Sequence, residues 1–518
     1  MDTQADFILV GAGTAGSALA EALTRDGRTR VLVVEAGPSP SSPFVDIPAG
    51  FTKLFRSRLD WNFQSEPDPR TGRSVYIPRG RMLGGSANLN AQIHQWGHPS
   101  DFAAWTAAGA TGWSWDDVAP VYRALECLDR AEEGRGADGP LHVASRPQIH
   151  PLSRAFVAAA GHAAQAADYN NHDPEGAWVS EVTQRAGRRF SAWHGLLKPA
   201  MRRANLETLT GAYAEAIVFD GHRASGLRVM QSGRRRTLSA RRGVIVCAGA
   251  FGSPHLLMRS GIGKASHLQS FGIDVVRDLP GVGANLHDHP MACPTFATQR
   301  RDTLKSAESP GNLMRYILGR RGALASNVAE AIAFSRSMPG LPAPDVEFLF
   351  APVEWRGEGL APPKHHGFTI AVILLRPRSR GSVTLRDPAP SAAPRIDLAL
   401  LRDADGADRR AMIAAVRAAR DIVGRAPLAA SCTGELAPGA EARSDEALSD
   451  WLDREIQTVY HPGGTCSIRT VVDSRLAVHG TTSLWVADAS VMPSMVSGHP
   501  NLTAAMIGAR AAGFIGPA

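Results

Sequence analysis

The sequence predicts a large mixed α/β protein: a Rossmann-like dinucleotide-binding unit interleaved with a second unit built on an antiparallel sheet. Three observations lead there. A chain of 518 residues that is 44% hydrophobic and 20% charged can bury a large core, and at about 150 residues per domain it suggests about three units. An apolar run at Phe7 to Val10 meets a glycine turn, a helical segment and a second apolar run that ends in an acid. Far downstream, Phe368 to Leu375 and Ser382 to Leu385 read as strands joined through Arg376 to Gly381, a hairpin of an antiparallel sheet.

The first of these elements carries chemistry. Gly11-Ala-Gly13-Thr-Ala-Gly16 follows the strand, and Ser17 to Thr24 has helical spacing. Gly11 permits the turn, Gly13 lets backbone approach a pyrophosphate, and Gly16 lets helix and strand pack closely. The unpaired N–H groups of the helix then face the phosphates. Val31 to Val34 delivers Glu35, about twenty residues past the last glycine, where a carboxylate can bind the hydroxyls of an adenosine ribose. An acid at this place disfavours a 2′-phosphate, which leaves FAD or NAD; the motif alone does not separate them.

Composition excludes other classes. No apolar run approaches the roughly 18 residues of a spanning helix, so no membrane insertion is expected. Met1 to Asp6 lacks a basic leader and a small-residue cleavage site. Cys127, Cys247, Cys293, Cys432 and Cys466 are odd in number and widely spaced, against both a disulfide framework and structural zinc. A cytoplasmic setting is expected. The formal charge of +7 is almost wholly arginine, and its densest run, Arg234 to Arg236 with Arg241 and Arg242, reads as a solvated hairpin between strands, with no nucleic-acid partner.

A second glycine-rich stretch, Pro78-Arg-Gly80-Arg81-Met-Leu-Gly84-Gly85-Ser86-Ala-Asn-Leu-Asn90, packs glycines, a hydroxyl and amides into thirteen residues. It resembles the flavin-contacting signature of the glucose-methanol-choline (GMC) oxidoreductase family, G-[RK]-x-L-G-G-S-S-x-x-N, with Ala87 and His94 as departures. Gly249-Ala-Phe-Gly-Ser253-Pro254-His-Leu-Leu-Met-Arg-Ser260-Gly261-Ile-Gly263 is similar to the family's second signature. Physically it reads as a buried strand, Val244 to Ala248, then a helix with Ser253 as N-cap, Pro254 as first residue and Gly261 as terminator. Asp60-Trp61-Asn62, Gly112 to Asp117 and Gly281 to His289 resemble further family stretches. The resemblance implies FAD as cofactor, bound without a covalent tether, because Leu89 stands where some members carry the linking histidine. It assigns cofactor contacts to Thr14, Ala15, Ala36, Trp61, Arg81, Gly84, Gly85, Ser86, Asn90, Ala214, Ala248 and Gly249, beside the glycines and Glu35 of the first motif.

Two C-terminal stretches carry the expected reaction. Tyr460-His461-Pro462-Gly-Gly-Thr465-Cys466 resembles Y-H-P-x-G-T-C, whose histidine faces the flavin. The proline pushes His461 toward extended backbone, which suits a loop side chain projecting into a site. Leu484-Trp-Val-Ala-Asp488-Ala489-Ser-Val-Met-Pro resembles V-x-D-A-S-V-M-P, whose aspartate contacts the ribityl or phosphate region, and the following helix is expected to supply donors to it. In Ser497-Gly-His499-Pro-Asn501-Leu-Thr503, His499 takes the place opposite the first histidine, with Asn501 as the alternative holder; Asn501 and Thr503 are also assigned to the cofactor. The pair His461 and His499 resembles the sugar and aryl-alcohol branches rather than the choline-type enzymes, which carry Asn. Imidazole can remove a hydroxyl proton at neutral pH. The implied reaction is oxidation of an alcohol to an aldehyde or ketone, with His461 as base, His499 on the alcohol oxygen, hydride passing to flavin N5, and O2 or another acceptor reoxidising the flavin.

The remaining histidines have plainer readings. His94 and His98 are four apart but lack a third ligand, so no metal is expected, and His365 and His366 are expected at the surface. Glu330 resembles an acidic position of the family's substrate domain, with lining the pocket and a buried structural role both open. Residues 1–155, 200–290 and 471–518 are expected to form the FAD domain; residues 156–199 and 291–470 form the substrate domain. Asp405 to Gly424, apolar at Met412, Ile413, Val416 and Ile422, is expected as a helix covering the antiparallel sheet. Oligomeric state is not encoded. Two other chemistries of the same fold stay open: a hydroxynitrile lyase that leaves the flavin redox-silent, and light-driven fatty-acid decarboxylation.

Overall fold

The computed structural model describes residues 5–145, 149–161, 168–170 and 174–516. Its first sheet grows from the apolar runs. Ala5–Val10 pairs in parallel with Val31–Glu35 on one side and with the far half of Arg234–Val246 on the other. Leu206–Thr210 and Leu484–Val486 extend the parallel layer outward. Phe7 to Val10, Val31 to Val34 and Val244 to Val246 are all buried, as strands covered on both faces must be. The helices Thr14–Leu23 and Asn501–Ile515 pack together against this layer.

The strand Arg234–Val246 belongs to two pairings. Its first half pairs antiparallel with Arg223–Gln231, which pairs in turn with Ala212–Asp220. The turn between the two is Ser232-Gly233, both at positive φ, the geometry a two-residue hairpin requires. Arg234 to Arg236 therefore lie in the strand and not in the loop expected for them, although they are exposed as expected. Arg241 pairs with Asp6 at 2.7 Å, and Arg242 lies over the Phe7 ring.

The second sheet is antiparallel and runs in the order Gly434–Ala437, Thr295–Ala297, Gly367–Leu374, Val346–Ala351, Ala331–Ser335, Gly176–Val179. Pro290–Ala292 also pairs with Gly367–Leu374 and carries Gln457–Thr458. One face, with Val346, Phe348, Phe350, Ile370 and Val372, joins the main core beneath the helices Ala407–Val423 and Pro151–Ala160. The long helix buries Met412, Ile413, Val416 and Ile422, as its spacing predicts. The other face, with Ile332, Phe334, Leu349, Ala371 and Ile373, forms a separate apolar cluster that looks toward the histidines described below.

Two sequence expectations need correction. Ser382–Thr384 does not return onto Gly367–Leu374; it pairs with Arg395–Asp397 in a separate ribbon. The Asp408 carboxylate accepts the N–H groups of Arg378 and Ser379, both at 2.8 Å, and the Ser379 hydroxyl at 2.6 Å. The backbone donors that a hairpin would have used are thus satisfied elsewhere. The second correction concerns the helix of the second signature, which spans Gly249–Arg259 with Ala248 as N-cap, so that Pro254 lies inside it. Proline leaves the carbonyl of Ala250 without its helical donor. The Thr465 hydroxyl takes that place at 2.6 Å. Ser253 points its hydroxyl at Asp488. Gly261 ends the helix at φ 84°, as expected. No helix among the described residues is long and apolar enough to cross a membrane, and no group among them could hold a metal ion.

Candidate active site

The two glycine loops meet back to back. A Cβ on Gly85 would lie 2.7 Å from the Gly13 Cα, and one on Gly11, at φ 100°, would lie 2.5 Å from the Cys247 carbonyl oxygen. Gly13 itself faces open space and no side chain caps the helix that follows, so its first N–H groups are free to meet an anion. The loops open into a cleft of about 760 Å³. Glu35 stands at its wall, accepting the Ala12 N–H at 3.0 Å and the Gly37 N–H at 2.8 Å. Burial raises its carboxyl while those N–H groups pull the other way. Arg81 stacks on Trp61 at 5.1 Å, and its Nε, buried within the cleft wall, has no partner among the described residues.

The cleft brings together Gly11, Gly13, Thr14, Ala15, Glu35, Ala36, Trp61, Arg81, Gly85, Ser86, Ala214, Ala248, Gly249, Asp488 and Ala489. Five assigned residues stand behind this wall. Gly16 packs helix on strand, a Cβ there meeting the Gly11 carbonyl at 2.1 Å, and Gly84 makes the turn at φ 93°. Asn90 accepts from Arg189 at 2.7 Å. Asn501 accepts the Thr14 hydroxyl at 2.8 Å, tying the last helix to the first glycine loop. Thr503 shares a hydrogen bond with the buried Tyr122 hydroxyl at 2.7 Å. Asp488 does have donors around it: Ser490 N–H from the following turn, as expected, and also Gly249 N–H and the Ser253 hydroxyl from the corrected helix. Sequence reasoning missed Tyr213, Arg235, His255, Arg259 and the segment 390–394, which complete the cleft. His255 and Arg259 lie within the second signature, which was given no cofactor role at those positions, and Arg235 lies in the arginine run; Tyr213 and the segment 390–394 carry no motif, and folding alone brings them there.

Arg79 and Pro462 also line the cleft, placing the histidines beside it. The rings of His461 and His499 are 4.7 Å apart between centroids, nearly perpendicular. A third histidine that the sequence did not single out, His289, sets its Nδ1 3.0 Å from the Nδ1 of His461. Asp288 fixes this loop pair: it accepts the N–H groups of both histidines at 2.8 Å and the Thr458 hydroxyl at 2.5 Å. Burial lowers the imidazole of His461 well below its ordinary value, helped by His499 and His289, and takes His289 down to about 3. Both are neutral at pH 7. Burial pushes Asp288 up to about 6 against its donors.

His499 has a different partner. Its Nε2 lies 2.9 Å from Oε1 of Glu347, which is fully buried in the strand Val346–Ala351, and its backbone N–H donates to Gln95. Glu347 was also missed. A single acid inside an otherwise apolar strand was its only signal. The other acid considered, Glu330, accepts from Ser153 and Ser326 and lines a second cleft with His150, apart from the histidine pair. His94 pairs with buried Glu126 at 2.8 Å, and His98 caps the helix Pro99–Ala107.

This arrangement matches a known family. The GMC oxidoreductase family models match residues 5–291 and 377–508, and the chain belongs to that family. It is an FAD-dependent enzyme of the class that acts on CH–OH groups. It is 43% identical over 527 residues to an uncharacterized GMC-type oxidoreductase of Mycobacterium tuberculosis, covering 99% of this chain and 100% of that protein. To an oxygen-dependent choline dehydrogenase of Rhizobium etli it is 40% identical over 536 residues, covering 99% and 95%. The crystal structure of a pyridoxine 4-oxidase from Mesorbium loti superposes with a TM-score of 0.89 at 31% identity, covering 98% of each chain. The residues present fit FAD: the crossed glycine loops leave room that a Cβ would fill, the buried Arg81 Nε awaits an acceptor, and Leu89, buried and aliphatic, offers no tether.

Proposed function

We propose that the chain oxidises an alcohol to the aldehyde or ketone, with His461 as proton acceptor and His499 holding the alcohol oxygen. The observation that carries this reading is the histidine pair itself, two rings in contact beside the glycine-loop cleft with a carboxylate behind one of them. His461 turns Nδ1 to His289, which leaves Nε2 for the substrate hydroxyl. For Nε2 to offer its lone pair, Nδ1 must carry the proton and donate to His289. The burial that keeps this ring neutral keeps it ready to accept. Glu347 accepts from Nε2 of His499, which leaves Nδ1 facing the alcohol; with the ring protonated against that carboxylate, Nδ1 donates to the alcohol oxygen. FAD, when bound, supplies the acceptor for the hydride.

The assigned cofactor contacts are part of the same proposal, with the first glycine loop on the pyrophosphate and Glu35 on the ribose. The final electron acceptor, O2 or another, is read from peroxide release in air. The test is anaerobic bleaching of the flavin by a panel of primary aromatic, furanic and aliphatic alcohols. At least one should bleach the wild-type protein, and His461→Ala should slow that reduction by about 10²- to 10⁴-fold while retaining flavin. Unslowed reduction in His461→Ala overturns the assignment.

A further inference from the structure

The face of the antiparallel sheet that looks toward the histidines has an ordered cross-strand row. Gln457 pairs with Met291, Met291 with Ile373, Ile373 with Glu347, and Glu347 with Phe334. Residues directly opposite in antiparallel strands project to the same face, so these five side chains stand side by side. The direction in which they project is fixed at one point: Glu347 reaches His499 from this row. All five are at least nine-tenths buried.

Two polar side chains thus bracket an apolar stretch, and both are incompletely satisfied. Glu347 uses Oε1 on His499. Gln457 places Nε2 3.8 Å from Cys293 Sγ, while its Oε1, buried, meets no partner among the described residues. A buried carboxamide oxygen without a donor is costly unless a ligand brings one. Between the polar ends lie Met291 and Ile373, with Ile93, Trp178 and Leu349 in the same apolar cluster. The row places an acceptor three strand steps, about 14 Å at the backbone, from the carboxylate that holds His499.

We propose that Gln457 is a specificity-determining residue of the alcohol site. The preferred substrate is then a primary alcohol whose apolar or aromatic body lies over Met291 and Ile373 and whose far end carries a hydrogen-bond donor, a hydroxyl or amino group, received by Gln457 Oε1. This rests on the alcohol-oxidation reading above and adds to it a class of substrate. A hydroxyl at the far end is recognised because a methyl in its place leaves the carboxamide unpaired.

The experiment uses the FAD-loaded protein. Anaerobic flavin reduction is compared for 4-hydroxybenzyl alcohol and its near-isostere 4-methylbenzyl alcohol in wild type and in Gln457→Met. Taking the ratio of the two alcohols in each protein, and then comparing the proteins, cancels the intrinsic electronic effect of the substituent. The preference for the hydroxyl compound should fall about tenfold or more in Gln457→Met. An unchanged ratio overturns the proposal and leaves alcohol oxidation standing, whereas absence of bleaching by any alcohol in wild type overturns both. Should Gln457→Met fail to hold FAD, binding to the wild-type protein decides: 4-hydroxybenzaldehyde should shift the flavin spectrum at about tenfold lower concentration than 4-methylbenzaldehyde, and equal affinities overturn the proposal.

Discussion

His461 and His499 sit in contact, yet their surroundings give them different work. Among the described residues the ring of His461 hydrogen-bonds to another neutral imidazole, that of His289, while its backbone N–H is held by Asp288. His499 has a carboxylate on its ring. Environments that differ in this way divide the roles of proton acceptor and hydrogen-bond partner. Glu347→Gln keeps the size and one hydrogen bond but removes the charge that fixes the proton on Nε2. It should lower the rate of flavin reduction at least about tenfold, with a smaller change in the substrate dependence, as stopped-flow traces at several alcohol concentrations would show. The pH dependence has a definite sign. An acceptor works when deprotonated, and burial lowers the His461 imidazole, so kcat/KM should stay level as pH falls through about 6.5 and decline only in more acid solution. A decline centred at 6.5 or above would contradict that. His461 and His499 were legible because each precedes a proline within a dense motif. His289 and Glu347 were not, because their roles depend on contacts 172 and 152 residues away in the chain.

At the level of elements, the same distance in sequence explains what was misread. Ser253-Pro254 has the form of a helix start, and local chemistry favours that reading. The helix nevertheless begins at Gly249, because Thr465, 215 residues from Ala250, supplies that residue's carbonyl with the donor that Pro254 lacks. Thr465→Val should therefore destabilise the protein by about 1–3 kcal/mol, the cost of a buried carbonyl left unpaired, whereas Thr465→Ser should restore most of it. Thermal melts of the three proteins at equal flavin loading check this; an unaltered melt for the valine variant would mean that the helix closes without that bond. The absent hairpin at Arg376 to Gly381 has a similar cause, with Asp408 capturing the backbone donors. The parallel layer was legible since its strands are continuous apolar runs. Much of the antiparallel sheet was not, since Pro290–Ala292, Thr295–Ala297 and Gln457–Thr458 are too short to show an alternation.

On the scale of the whole molecule, the site exists only where both sheets have assembled. The cleft takes loops from the first sheet, and the histidine cluster takes Glu347 from the second and His289 from the loop that enters it, with His461 and His499 on further loops. Joining the sheets buries several imidazoles that water would leave free to titrate. His255 and His289 are lowered to about 3, and His287 and His461 are lowered well below the ordinary value, in each case chiefly by burial. A histidine whose folded value is depressed contributes stability that is present above about pH 6.5 and is lost as pH falls toward the folded value, by up to about 1.4 kcal/mol per pH unit for each group. The buried carboxyls act in the opposite sense. Asp288, raised to about 6, and Asp101 and Glu35, also raised, cost stability at neutral pH and return it once protonated. Stability should therefore fall steeply just below pH 6.5, where the histidines act before the carboxyls, and more gradually below pH 6. Chemical denaturation followed by tryptophan fluorescence at half-unit pH steps from 7.5 to 5 measures that slope, and a midpoint independent of pH between 6.5 and 6 would mean that the four imidazoles are not held neutral by the fold.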